Sequence, residues 1–134
     1  GLWSWQAMAI ALPVGSLVAS ILSGNNLRDI ADDAVAKVTT TAGLLGHRAA
    51  RLEYAALVIS AYVLIVILMA ARLLPIWSLL TFLSLPPAIR HIRTALRSEP
   101  NSSHTLADLD VKSAQVHFLF GLLLIVSIVL EAVI

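Results

Sequence analysis

Residues 24–37 read G-N-N-L-R-D-I-A-D-D-A-V-A-K and gather two adjacent amides, an arginine, three carboxylates and a lysine directly after a long apolar run. Written on a helix, Asn25, Asp29 and Asp33 fall at successive i, i+4 positions, so their side chains stack along one face. Asp32 lies one step round from that face, and Arg28 reaches it across the next turn. Carboxylates one turn apart repel unless a cation sits between them, and hard oxygen donors suit Mg²⁺ or Ca²⁺. Arg28 and Lys37 add the cations that phosphate recognition needs beside a metal, because Mg²⁺ takes few protein ligands and shares the rest with water and phosphate oxygens. A diphosphate held in this way is a good leaving group, since metal and basic residues absorb the charge that develops as it departs. The plain alternative is a solvated helix whose Arg28 and Asp32 form a weak surface pair; D-x-x-x-D is common on exposed helices. Spacing alone does not separate the two.

The surroundings of these residues are apolar to a degree that excludes a water-soluble domain. The 134 residues are 59% hydrophobic and 13% charged, with a mean hydropathy of +0.90. Soluble domains carry about 25% charged residues. The composition predicts an all-α integral membrane helical bundle, with an oily interior able to hold an isoprenoid tail that water does not solvate. A formal net charge of +1 says nothing useful about partners, no nucleic-acid partner is expected, and the absence of cysteine excludes disulfides and thiolate metal sites. Gly1, Leu2, Trp3, Ser4 and Trp5 lack an initiator Met and a basic n-region. They do not read as a signal peptide, and the chain is expected to begin inside something longer.

Four transmembrane spans are expected to carry the polar segment. The first covers about residues 3–23, with Trp3 and Trp5 as an interfacial belt and Gly24 ending the span ahead of an Asn25-Asn26 turn. Gly43 and Gly46 punctuate a short interfacial helix with a loop. A second span covers roughly residues 54–71, with Glu53 at its entrance placed to pair with an arginine. A third runs over roughly residues 74–85, is interrupted at Pro86-Pro87 and continues over 88–96 as a kinked helix leaving the bilayer. Residues 99–104 read as an exposed loop, 106–115 as an amphipathic stretch, and 116–134 as the last span. Of the nine Lys and Arg residues, all but Arg72 flank the first and third connections. The positive-inside rule then puts that face, with the Asp-rich segment, in the cytoplasm.

With these elements in place, residues 25–33, N-N-L-R-D-I-A-D-D, resemble the second aspartate-rich motif of the UbiA-type intramembrane prenyltransferases. The N-N-x-R-D-x-x-x-D form is similar in particular to the branch that prenylates 1,4-dihydroxy-2-naphthoate. L-A-D-L-D at 106–110 and S-A-Q-V-H-F-L-F-G at 113–121 resemble that branch's C-terminal segment. The resemblance implies a nine-span bundle of which residues 1–134 are the C-terminal part of a single domain. Two cytoplasmic Asp-rich loops would face one another across a cavity that holds Mg²⁺ and the allylic diphosphate. It implies catalytic, metal-linked roles for Asp29 and Asp33 and diphosphate binding by Asn25, Asn26 and Arg28; Asp32 occupies a variable position, and Lys37, outside the family pattern, is expected to serve the diphosphate only by swinging in toward phosphate. The family pattern continues Gly-Lys-x-Thr-Leu where this chain has Lys37-Val38-Thr39-Thr40-Thr41, so Lys37 stands where Gly is expected. The first Asp-rich motif is absent, so a missing N-terminal half or a partner chain is needed to complete the site, and the fragment alone is expected not to turn over.

The implied activity is Mg²⁺-dependent transfer of a polyprenyl group to 1,4-dihydroxy-2-naphthoate in menaquinone synthesis, with loss of CO₂ and diphosphate, at a bacterial cell membrane. The alternatives keep the chemistry with another acceptor (4-hydroxybenzoate, a haem or a chlorophyll precursor), or make the chain a non-enzymatic transporter or scaffold. A transporter should place polar groups near the bilayer midplane, and here they gather at one interface. Asp108 and Asp110 either line the cavity mouth or solvate an amphipathic turn. His117, Tyr54 and Trp77 read as anchoring or packing residues. Arg90, His91 and Arg93 read as the basic flank, and His47 and His104 lack partners at metal-ligand spacing.

Overall fold

The computed structural model describes residues 4–100 and 103–134, so the expected belt residue Trp3 and part of the expected 99–104 loop lie outside the described residues. Every element within them is helical: α1 (Trp5–Ala36), α2 (Thr41–Leu45), α3 (His47–Ala70), a 3₁₀ helix (Ile76–Ser84), α4 (Leu85–Arg97), α5 (Ser103–Leu106) and α6 (Leu109–Val133). Helix α1, helix α3 and the stretch His104–Val133 are each long and apolar enough to cross a membrane. In place of the span expected over residues 74–96 stand the 3₁₀ helix and α4 in tandem, neither long enough by itself to cross a membrane, and they return the chain beside α3. Pairwise packing of α1 on α3 and α6, and of α3 and α6 on the returning pair, closes a four-rod bundle. The all-α membrane bundle read from composition is therefore present.

Helix α1 departs from expectation in a way that matters for the polar segment. Gly24 does not end it; the helix runs unbroken for 32 residues from Trp5 to Ala36. At 1.5 Å per residue that is about 48 Å, against a hydrocarbon core of about 30 Å, so its last turns project past the apolar slab. Gly24 is instead a packing glycine. A Cβ added there would lie 3.3 Å from Tyr54 Cε2 and 3.4 Å from Leu109 Cγ, on two different helices. Ser4 caps the start through a bond from the Ala7 N–H at 3.2 Å.

Pro86 and Pro87 do not interrupt the fourth rod. They occupy the first turn of α4, where their missing N–H groups have no helical partner to lose. The preceding 3₁₀ helix, nine residues long, has three residues per turn, so Ser78, Thr81 and Ser84 fall in one line, and all three are fully buried. That line supplies two of the cross-helix hydroxyl contacts in the core: Ser84 Oγ with Tyr62 Oη at 2.8 Å and Ser78 Oγ with Ser127 Oγ at 3.4 Å. Ser84 donates onward to the Thr81 carbonyl at 2.6 Å, which makes Tyr62 the donor to Ser84. Tyr54 and Ser113 form a third rung at 2.8 Å. Around these rungs pack Leu17, Val58, Ile65, Val116, Phe120 and Leu124. In an apolar setting such hydroxyl pairs hold helices together at points where hydrocarbon packing has no directional preference.

The polar end of the bundle is tied by its own contacts. Arg51, expected as part of the basic flank, turns inward, and its Nη1 donates to the carbonyls of Leu96 at 2.8 Å and Ser98 at 2.7 Å. A cation there meets the exposed carbonyls at the C-terminus of α4, where the helix dipole favours it. His47 Nε2 lies 3.1 Å from the same Ser98 carbonyl. The arginine pairing expected for Glu53 does not form within the described residues.

Candidate functional site

The site is built on the projecting end of α1. Because the helix is continuous, Asn25, Asp29 and Asp33 follow the expected i, i+4 spacing, drifting about 40° round the helix at each step. Asn25, Asn26, Asp29 and Asp33 are half-buried, whereas Asp32 is exposed. The expected Arg28–Asp32 pair does not form. The Arg28 guanidinium instead grips Asp29 side-on, Nε to Oδ1 at 2.7 Å and Nη2 to Oδ2 at 3.0 Å. Its Nη1 meets Asp110 Oδ2 at 2.9 Å and the Ala107 carbonyl at 3.3 Å, and its Nη2 also donates to Asn25 Oδ1. The side chains of Arg28, Asp29 and Asp110 are 24%, 29% and 25% exposed, so water screens this trio far less than a surface pair.

Asp110 comes from the first turn of α6 and is the site residue that spacing left undecided. Its type and position were visible in L-A-D-L-D. What was not visible is that the α5–α6 elbow folds back onto α1. Asp108, two residues earlier, takes the other role foreseen for that turn and pairs in solvent with Lys112 at 3.6 Å.

Two recesses flank the polar stripe. A groove of about 390 Å³ between α1 and α6 is lined by Val18, Ile21, Leu22, Asn25 and Asp110, so its apolar floor meets the polar cluster at one end. A second, of about 230 Å³, lies between the end of α1 and α2; it is lined by Asp33, Thr39 and Thr40 with apolar neighbours. The stripe thus spans two recesses, with Asn25 on one and Asp33 on the other. Lys37 is exposed beyond them. It ends α1 with a left-handed backbone, φ 56° and ψ 32°, while its N–H reaches the Ala34 carbonyl and the Val38 N–H reaches that of Asp33.

The donor set can be matched to a metal by its chemistry. Asp29 keeps a free lone pair on each oxygen after bonding Arg28, and Asp33 makes no ion pair among the described residues. Two carboxylates match what Mg²⁺ takes when phosphate and water complete its octahedron. They do not make an all-protein cage: among the described residues no three His, Asp or Glu side chains converge on a metal position. One arginine against two aspartates leaves the Arg28 trio with a net negative charge, which favours a cation rather than a bare anion.

A projecting acidic-amide helix on a membrane-embedded four-rod bundle defines a class: an integral membrane protein with a polar site at the rim of an apolar interior. Residues 1–112 match the UbiA prenyltransferase family, and the chain belongs to that family. It is 31% identical over 94% of its length to a 1,4-dihydroxy-2-naphthoate octaprenyltransferase of Bacillus subtilis. It is 32% identical over 92% of its length to a UbiA prenyltransferase domain-containing protein 1 homolog of Drosophila melanogaster. The Mycobacterium tuberculosis 1,4-dihydroxy-2-naphthoate octaprenyltransferase is 40% identical over 64% of the chain. The chain spans 40%, 32% and 28% of these three relatives' own lengths. No solved structure matches it significantly.

Proposed function

We propose that residues 1–134 form the C-terminal part of an intramembrane prenyltransferase domain and supply one wall of its diphosphate site. The observation that carries this is the junction of the Asn25–Arg28–Asp29–Asp110 cluster with an apolar groove. An allylic diphosphate has the same two-part chemistry, a charged head on a greasy tail. The proposed substrates are a polyprenyl diphosphate and 1,4-dihydroxy-2-naphthoate, the acceptor in the names of two of the relatives. The products are the prenylated ring, diphosphate and CO₂.

In this mechanism Asn25 and Asn26 offer amide N–H donors to the diphosphate oxygens, while Arg28 and Lys37 contribute positive charge near them. Asp29 and Asp33 would hold Mg²⁺, which when bound supplies neutralisation of the diphosphate charge. Val18, Ile21 and Leu22 keep water from the tail and, with it, from the allylic carbon as its bond to the diphosphate oxygen breaks. The electron-rich acceptor ring then captures that carbon. We assign the site to the cytoplasmic face of a bacterial membrane, and the basic residues around it support that side by the positive-inside rule. Segments outside residues 1–134 supply the opposing acidic residues.

The test is prenyl transfer by the full-length protein, assayed with a prenyl diphosphate against several aromatic acceptors. Asp29→Ala is expected to lower kcat/KM by at least about a hundredfold, given the cost of losing a charge-stabilising group in a reaction centre. Undiminished turnover in that variant would rule the site out. Preferred prenylation of 4-hydroxybenzoate would keep the site and replace the acceptor.

A further inference from the structure

The guanidinium of Arg28 has five N–H donors, and the structure accounts for all of them. Nε serves Asp29, Nη2 serves Asp29 and Asn25, and Nη1 serves Asp110 and the Ala107 carbonyl. Arg28 therefore has no donor left for a phosphate oxygen unless it releases a partner. Its geometry is that of a strut. One edge fixes the Asp29 carboxylate in a planar fork, one corner holds the oxygen end of the Asn25 amide, whose NH₂ group Arg28 does not engage, and the far edge is anchored on Asp110 of α6.

We propose that Asp110 is a positioning residue of the diphosphate site: by holding the far edge of Arg28 it fixes the direction in which Asp29 and Asn25 present their remaining lone pairs and donors. The inference rests on the diphosphate reading of the α1 stripe. Its chemistry is that of an outer partner orienting an inner ligand. Three features argue against a merely adhesive ion pair. The trio is partly desolvated, the fork is bidentate, and the Ala107 carbonyl adds a second α6-side contact that sets the plane of the guanidinium. Asp110 also lines the apolar groove, so the same residue couples the seat of the tail to the seat of the head.

The experiment is a double-mutant cycle in the full-length protein. kcat and KM for the prenyl diphosphate are measured together with the Kd for inorganic diphosphate in Mg²⁺, on Asp110→Asn, Asp29→Asn and the double variant. Asp110→Asn is expected to lower both kcat/KM and diphosphate affinity by about tenfold, the lower end of what losing such a partner costs. In the Asp29→Asn background the same change should alter either quantity by less than about threefold, because the carboxylate to be oriented is gone and only Asn25 is still held through Arg28. Asp110→Glu should recover most of the loss, and Asp108→Asn, which removes only the charge facing Lys112, should leave both values unchanged. An equal loss in both backgrounds, or none in the parent, overturns the proposal. Should Asp29→Asn alone keep full turnover and affinity, the diphosphate reading itself falls and takes the clamp with it.

Discussion

Lys37 occupies a backbone conformation that glycine adopts without cost. With Ala34 and Asp33 accepting from residues 37 and 38, α1 ends in the paired bonds of a Schellman motif, whose left-handed residue is ordinarily glycine. Glycine is the residue that the resemblance leads one to expect at this place, and a physical reason for it is that the position has φ > 0. Lys37→Gly is expected to raise stability by up to about 1 kcal/mol, the strain of a side chain in the left-handed region less the entropy glycine regains when unfolded. Thermal unfolding in detergent measures it. If Lys37 also serves the diphosphate by charge, the same variant weakens inorganic diphosphate binding while it stabilises the helix, and the two readouts part company.

At the scale of elements, close approach of α1, α3 and α6 at Gly24 is what brings Arg28 within reach of Asp110. Tyr54, the nearest neighbour, is held by Ser113 at 2.8 Å and cannot swing aside freely. Gly24→Val should therefore destabilise the bundle by about 1–3 kcal/mol, the usual cost of overpacking. It should also depress turnover in the full-length protein by separating Arg28 from Asp110. Circular dichroism melts and the transfer assay check the two effects. The sequence shows a glycine at this place but not its use: a helix stop and a helix contact both call for one, and only the position of Leu109, 85 residues later, decides between them. The same distance problem hid Asp110. The i, i+4 stacking of Asn25, Asp29 and Asp33 needed nothing beyond local periodicity and was fully legible. Arg51 falls between these cases, since a basic residue before a span is expected at an interface and only the fold reveals the helix end it caps.

The whole molecule carries one acidic wall and a bundle whose outer faces remain apolar, with Trp5, Leu22, Ile59, Val66, Phe118 and Ile125 all exposed. Those faces suit lipid and further spans. Residues 1–134 expressed alone should insert and fold as helices yet yield no prenylated product, while the full-length protein does; product from the isolated chain would contradict the shared-site proposal. Class and membrane placement were readable from composition because a hydrophobic fraction of 59% leaves few other architectures. The path of the fourth rod was not, because a proline pair signals a break in water-soluble helices and an opening turn here.

That rod has a consequence of its own. Nine residues at about 2.0 Å followed by thirteen at about 1.5 Å give the returning arm a length of about 37 Å. The 24 residues of α3 and the 25 of α6 come to about 36 and 37 Å, so the stretched helix lets a shorter run keep pace with its neighbours. Rewound to α geometry, the arm would fall about 4 Å short. The line of Ser78, Thr81 and Ser84 would then fan out away from its partners Tyr62 and Ser127. The tight winding thus gives twenty-two residues the contour length that α3 and α6 reach with twenty-four and twenty-five.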